Sequence, residues 1–272
     1  MRLRAIIGGN NMDATQRKMN KTWAFCVDKF GMDKCVALTL HGSQNYGLSL
    51  PESDVDAKLM VVPSWNDIIN LRPPVSETIK GPYGDINITD IRLFIGNNLK
   101  KQNFNFIECL FTQYKCVNNM YVDLWNDLVD SREVIAHYDP KQALRTMLGQ
   151  VENQRKRWNG FSGKDGEPFD NNKTLYHMAR ITWAIVNYSH GEDFEKTLVP
   201  EEKMRESIMN MRLGKLDKEA MEYFFNTYYE VAQRTYEEFN PTVEKDVNAE
   251  IIMDELQKQF IYRALYEYGI EE

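Results

Sequence analysis

Two aspartates stand two residues apart in Ser53-Asp54-Val55-Asp56, and Gly42-Ser43 precedes them, with the serine eleven residues before Asp54. In an extended chain, residues two apart point to the same side, about 6.6–6.8 Å from each other. Val55 then points the other way, into a core. Two carboxylates so placed repel one another unless a cation sits between them. Hard oxygen ligands of this kind suit Mg2+ or Mn2+, with water and substrate phosphates completing the shell. Gly42 lets the backbone approach a phosphate, Ser43 brings a hydroxyl, and the N–H groups of the following turn bind negative charge. Asp85-Ile86-Asn87-Ile88 offers a third carboxylate on a neighbouring strand, with Ile86 and Ile88 in the core and Asp85 facing a cleft. Asp90 is its rival, although its place before a helical run reads as an N-cap. A phosphate cradle beside paired carboxylates is the minimum for an in-line nucleotidyl transfer.

Such a site needs strands to hold it. Cys35–Leu40 reads as a buried strand that ends at His41-Gly42-Ser43, and a second is expected over Val55–Val62, stopped by Pro63. The turn Gly81-Pro82-Tyr83-Gly84 leads into a third over Asp85–Ile88. Between and before them lie a helix over Thr15–Phe30, with apolar residues at helical spacing, and a short one capped by Ser64. After about residue 118 nearly everything is helix-patterned: Met120–Asp130, Pro140–Trp158, Lys173–Tyr188, Pro200–Arg212, Asp217–Phe239 and Val247–Tyr268. The Gly-, Asp- and Asn-rich stretch Asn159–Asn172 reads as a loop. The residues thus read as an α/β front part followed by a helical back part.

The text Gly-Ser-x-x-Tyr-Gly-Leu followed by Ser-Asp-x-Asp resembles the DNA polymerase β-like nucleotidyltransferase superfamily. Within it, the chain looks like the branch of predicted nucleotidyltransferases associated with RNA repair and phages. Asp85–Phe94 is similar to that branch's third-carboxylate strand, Asn103–Phe111 to its Asn…Glu-x-Leu-Phe helix, and Lys173–Arg180 to its Lys…His…Arg helix. The likeness spans about residues 35–235. Phe104 stands where the family often has Pro, and Lys58 where it usually has Arg. The resemblance implies an α+β class: a minimal transferase fold, a mixed sheet with flanking helices, over 1–118, followed by a helical substrate-binding domain over 119–272. It implies Asp54, Asp56 and Asp85 as catalytic metal ligands for Mg2+ or Mn2+. It implies Gly42, Ser43, Lys58, Lys173, His177 and Arg180 as nucleotide contacts. The partners it implies are an NTP and a hydroxyl acceptor, with an RNA end favoured over a protein or a small molecule. A non-catalytic nucleotide sensor or interaction module is the alternative.

Lys173, His177 and Arg180 lie at i, i+4 and i+7 and so share one helical face, which spacing alone would leave as an ordinary solvated surface. Gln154-Arg155-Lys156-Arg157-Trp158 could hold a nucleic-acid backbone and stack a base, or simply be a solvated helix end whose cations suit the dipole. Tyr46 could stack on a base or pack, and Glu108 reads as structural or as a support behind the contact residues. Gly163-Lys164-Asp165 is not a phosphate-binding P-loop, because Trp158 occupies the place of the first glycine. The 272 residues suffice for a core without disulfide or metal support, and the net charge of −7 argues against a broadly basic nucleic-acid coat. The four cysteines form no CxxC pair, which points to free thiols in a reducing, cytoplasmic setting. No membrane span or signal peptide is expected, because no apolar run is long enough.

Overall fold

The computed structural model describes residues 9–160, 170–240 and 244–267. The chain divides into two units. The first takes residues up to Lys101, Asn105–Tyr138 and the chain from Val247 onward; the second takes Gln102–Phe104 and Asp139–Asp246. The class is α+β: the first unit carries a mixed sheet with helices, and the second is helical.

In the first unit, α1 (Gly9–Phe30) leads into β1 (Cys35–Leu40), and a four-residue 3-10 turn, Ser43–Tyr46, follows. Then come β2 (Ala57–Val61), α2 (Trp65–Ile69), β3 (Ser76–Lys80), β4 (Asp85–Asp90) and the short α3 (Ile91–Leu93). After α4 (Phe104–Ile107) and a 3-10 turn at Glu108–Leu110, β5 (Lys115–Val117), α5 (Val122–Asp130) and α6 (Arg132–Ala136) complete this part. The strand order is β3-β4-β2-β1-β5; β2 and β4 run parallel and every other pair is antiparallel. Every residue of β1 and β2 is buried, as expected of central strands covered on both faces. The sequence Ser-Glu-Thr-Ile-Lys of β3 is almost wholly exposed, and its polar and charged side chains blunt the sheet edge it forms. Neither β3 nor β5 was expected from the sequence: both are short, polar strands without apolar alternation.

One face of the sheet packs on α1. Leu38 and Leu40 of β1, Ala57, Leu59 and Val61 of β2 and Ile86 and Ile88 of β4 join Met19 and Cys26 in one core cluster, which Val55 also enters. The short helix α2 carries the expected Ser64 cap as a full capping box, with Ser64 Oγ accepting from Asp67 N–H and the Asp67 carboxylate accepting from Ser64 N–H.

The second unit holds α7 (Pro140–Trp158), α8 (Asn171–Ser189), α9 (Phe194–Leu198), α10 (Glu202–Arg212) and α11 (Lys218–Glu238). Asp139, Asp170 and Asp217 cap α7, α8 and α11 by accepting backbone N–H bonds. Helix α8 is the hub; α7, α9, α10 and α11 all pack on it. It buries Leu175, Met178, Ala179, Thr182 and Ile185, the residues that the helical spacing marks for the core. The helix α12 (Val247–Tyr262) then belongs to the first unit again, where Lys100 pairs with Asp254 at 2.6 Å and Trp65 Nε1–H donates to the Leu265 carbonyl at 2.7 Å. Much of the loop expected over Asn159–Asn172, with Gly163-Lys164-Asp165, lies outside the described residues, as does the end of the helix expected to reach Tyr268. Among the described residues no helix is long and apolar enough to cross a membrane.

Candidate functional site

The registers of the first unit put a polar row across the sheet. Thr39 pairs with Lys58, Lys58 with Asn87, and Asn87 with Thr78. One step further along lie His41, Asp56, Asp85 and Lys80: Lys80 is paired with Asp85, and His41 N–H donates to the Asp56 carbonyl at 2.9 Å. Neighbouring strands are about 4.8 Å apart, so these side chains stand side by side on the face opposite the α1 core. Asp54 and Asp56 themselves precede β2, which begins at Ala57 rather than Val55. The segment is nevertheless held extended, since Val55 N–H donates to the Tyr83 carbonyl at 2.9 Å.

Asp56 and Asp85 meet across the sheet. Asp56 Oδ1 accepts the Asp85 backbone N–H at 2.8 Å. The Lys80 ammonium lies 2.7 Å from Asp85 Oδ1, and its pKa is raised by Asp85 first and also by the charges of Asp54 and Asp56. One cationic position therefore feels all three aspartates. Lys80 and Asp54 are exposed, Asp56 and Asp85 half-buried. Gly84 makes the approach possible: a Cβ there would sit 2.7 Å from the Val55 carbonyl carbon and oxygen and 2.8 Å from Asp56 Oδ1. Asp90 is spent elsewhere. It is 2% exposed, caps α3 through Arg92 N–H, and holds the Arg92 guanidinium at 2.6 Å.

The Gly42-Ser43 turn adjoins this row. Gly42 has φ of 98°, a conformation that glycine adopts without strain, while the space where its side chain would lie is open. The turn is fixed from several sides. Asn45 Nδ2–H donates to the Leu40 carbonyl at 2.9 Å, Thr112 Oγ–H donates to Asn45 Oδ1 at 2.7 Å, and Gln44 Nε2–H donates to the Asp54 carbonyl at 3.1 Å. Beneath it, the Glu108 carboxylate, 1% exposed, accepts from Tyr46 O–H through one oxygen and bonds His41 Nδ1 through the other. His41 and Tyr46 flank the turn, so one buried carboxylate clamps both of its ends. Tyr46 is 2% exposed, so it packs and is closed to base stacking. Lys58 is 6% exposed, and its ammonium lies 4.5 Å from the centre of the Phe106 ring, a cation–π contact.

Lys173, His177 and Arg180 all lie on α8 of the second unit. Lys173 is exposed and His177 half-buried, while Arg180 is 4% exposed with its guanidinium over Phe104 at 5.5 Å. Burial, and then the charges of Arg180, Lys173, Arg157 and Arg212, hold the His177 imidazole well below the usual histidine range. Trp158 stacks on Phe225 with ring centres 4.3 Å apart, so one of its faces is already covered.

Sequence reasoning did not find Lys80, Gly84 or His41, and it left Glu108 as either structural or a support behind the contact residues. The signal for the first three lay in strand register, which pairs residues far apart in the chain. Oxygen donors such as Asp54 and Asp56 suit a hard divalent cation, and the place now taken by the Lys80 ammonium is where positive charge is favoured. Among the described residues no three His, Cys, Asp or Glu side chains are already gathered as a metal shell. The thiols are inert: burial pushes Cys26, Cys35 and Cys109 up to about 12 and Cys116 to about 11.

No family model matches the chain, and no curated protein matches it. Among solved structures it is similar to a nucleotidyltransferase-like protein from Exiguobacterium sibiricum, at 11% identity and a TM-score of 0.30, over 93% of this chain and 80% of that one. At that level of similarity nothing about activity passes from one protein to the other.

Proposed function

We propose that the protein is a nucleotidyltransferase that uses Mg2+ or Mn2+ to move a nucleoside monophosphate from an NTP to a hydroxyl, with an RNA end as the favoured acceptor. What supports this reading is the meeting of Asp56 with Asp85 across the sheet, with Asp54 two residues before Asp56 and tied to the Gly42-Ser43 turn through Gln44. A divalent cation held by Asp54 and Asp56 would neutralise triphosphate charge and acidify the attacking hydroxyl. Gly42 and Ser43 bind the β- and γ-phosphates through backbone N–H and hydroxyl donors. Lys58 supplies positive charge from within the polar row. Asp85 would complete the shell of the divalent cation and help activate the acceptor hydroxyl, taking up its proton at the carboxylate. The hydroxyl oxygen bonds to the α-phosphorus as the α–β phosphoanhydride bond breaks, and pyrophosphate leaves. On the second unit, Lys173, His177 and Arg180 are the proposed phosphate contacts.

The test is pyrophosphate release from each NTP with Mg2+ or Mn2+ in the presence of RNA, protein or small-molecule acceptors. Asp54→Ala combined with Asp56→Ala is expected to abolish it. Undiminished transfer by that variant overturns the mechanism. Tight NTP binding with no release by the unaltered protein points to a nucleotide sensor instead.

A further inference from the structure

The second unit concentrates positive charge in one place. Arg157 ends α7, Arg212 ends α10, and Lys173 and Arg180 lie on α8, on which both of those helices pack. The Arg212 guanidinium lies 4.9 Å over the Tyr176 ring, whose centre is 4.1 Å from that of His177. The close approach of the α10 end to the start of α8 is built in: a Cβ on Gly214, at φ of 67°, would meet Asn172 Nδ2 at 2.9 Å. The largest charges acting on His177 are those of Arg180, Lys173, Arg157 and Arg212, all of them cationic. Arginines at the ends of α7 and α10 suit the helix dipoles. The dipoles do not account for Lys173 near the N-terminus of α8, or for Arg180, buried midway along it, sharing the same focus.

We propose that Arg157, Lys173, Arg180 and Arg212 form a site for a compact polyphosphate, and that His177 takes up a proton from solvent as the anion arrives. The proposal rests on the reading of Lys173, His177 and Arg180 as phosphate contacts and adds Arg157, Arg212 and the proton. The physical reason is reciprocity. Cations that disfavour the imidazolium also attract the anion, and an anion seated among them cancels their field at the imidazole. Cations drawn from one helix face and the ends of two helices packed on it suit a di- or triphosphate better than an extended backbone, whose charges are spread along a strand.

The experiment uses the full chain with inorganic tripolyphosphate in EDTA, so that no metal-dependent step is read. Calorimetry in buffers of different ionisation enthalpy counts protons, and NMR follows the imidazole of His177, one of four histidines in the chain, assigned with His177→Gln. Expected are net proton uptake near neutral pH that His177→Gln removes, a shifted His177 resonance, and affinity lower by on the order of tenfold for each of Arg157→Gln and Arg212→Gln. An unmoved His177 resonance at saturation, or unchanged affinity in the Arg157→Gln, Arg212→Gln double variant, overturns the proposal. Asp54→Asn and Asp56→Asn, which probe the transfer reaction, are expected to leave this binding intact. Failure of one reading is thereby separated from failure of the other.

Discussion

Replacing Gly84 by alanine tests whether the approach of β4 to the Asp54–Asp56 segment is what assembles the carboxylates. The added Cβ would lie 2.7 Å from the Val55 carbonyl carbon and oxygen, whereas ordinary contact begins at 3.4 Å. The obstructing atoms are backbone, pinned by the Val55 N–H bond to the Tyr83 carbonyl, so no rotamer change can relieve the clash. The strands must part by about 0.7 Å, the difference between those two distances. The 2.8 Å bond from Asp85 N–H to Asp56 Oδ1 is the first to break. Overpacking of this sort costs about 1–3 kcal/mol of stability. A displacement approaching 1 Å costs roughly 10²-fold in rate when it misplaces reacting groups. The assays are urea unfolding and kcat/KM for pyrophosphate release, with Gly149→Ala as the control. Gly149 is exposed on α7 with nothing within 4 Å of its Cβ, so alanine there is expected to be neutral or stabilising by up to about 1 kcal/mol. Unaltered stability and kcat/KM in Gly84→Ala would refute the claim that this contact sets the spacing of the aspartates.

Three further expectations follow from the geometry. Lys80→Met removes the ammonium that competes for the aspartates and is expected to tighten Mn2+ binding severalfold by electron paramagnetic resonance titration; weaker or equal binding would show that the carboxylates do not share one cation position. Glu108→Ala leaves His41 and Tyr46 without their buried partner and is expected to cost about 3 kcal/mol in urea unfolding, together with a raised KM for NTP from a loosened Gly42-Ser43 turn. His177 gives a pH signature: the folded chain holds it neutral, so below about 6.5, its ordinary value, the unfolded chain binds a proton that the folded chain does not. Stability is therefore expected to be flat in this residue above that pH and to fall as pH drops below it, and His177→Gln should flatten the slope in a pH series of unfolding curves.

What the sequence determined was local. A continuous apolar run marks Cys35–Leu40 as a buried strand, alternation marks Asp85–Ile88 as a strand with one apolar face, Ser64 announces a helix start, and helical spacing marks Leu175, Met178, Ala179, Thr182 and Ile185 of α8 for the core, because these patterns are read within a few residues; that Arg180 is buried as well, they do not show. The facing of Val55, Ile86 and Ile88 into one core follows from the same period of two. Tertiary structure decided the rest. The edge strand β3 has too few apolar residues to declare itself, yet it brings Lys80 to Asp85. Parallel pairing of β2 with β4 sets Asp56 beside Asp85, a juxtaposition of residues 29 apart in the chain. Glu108 becomes a clamp only because its turn lies under residues 62 and 67 positions earlier. Residues from Val247 onward join the first unit through contacts such as Lys100 with Asp254, for which helical periodicity carries no address. Periodicity fixes which side of an element is buried; which elements then meet is a matter of register and packing between distant segments, and that is where the candidate site is made.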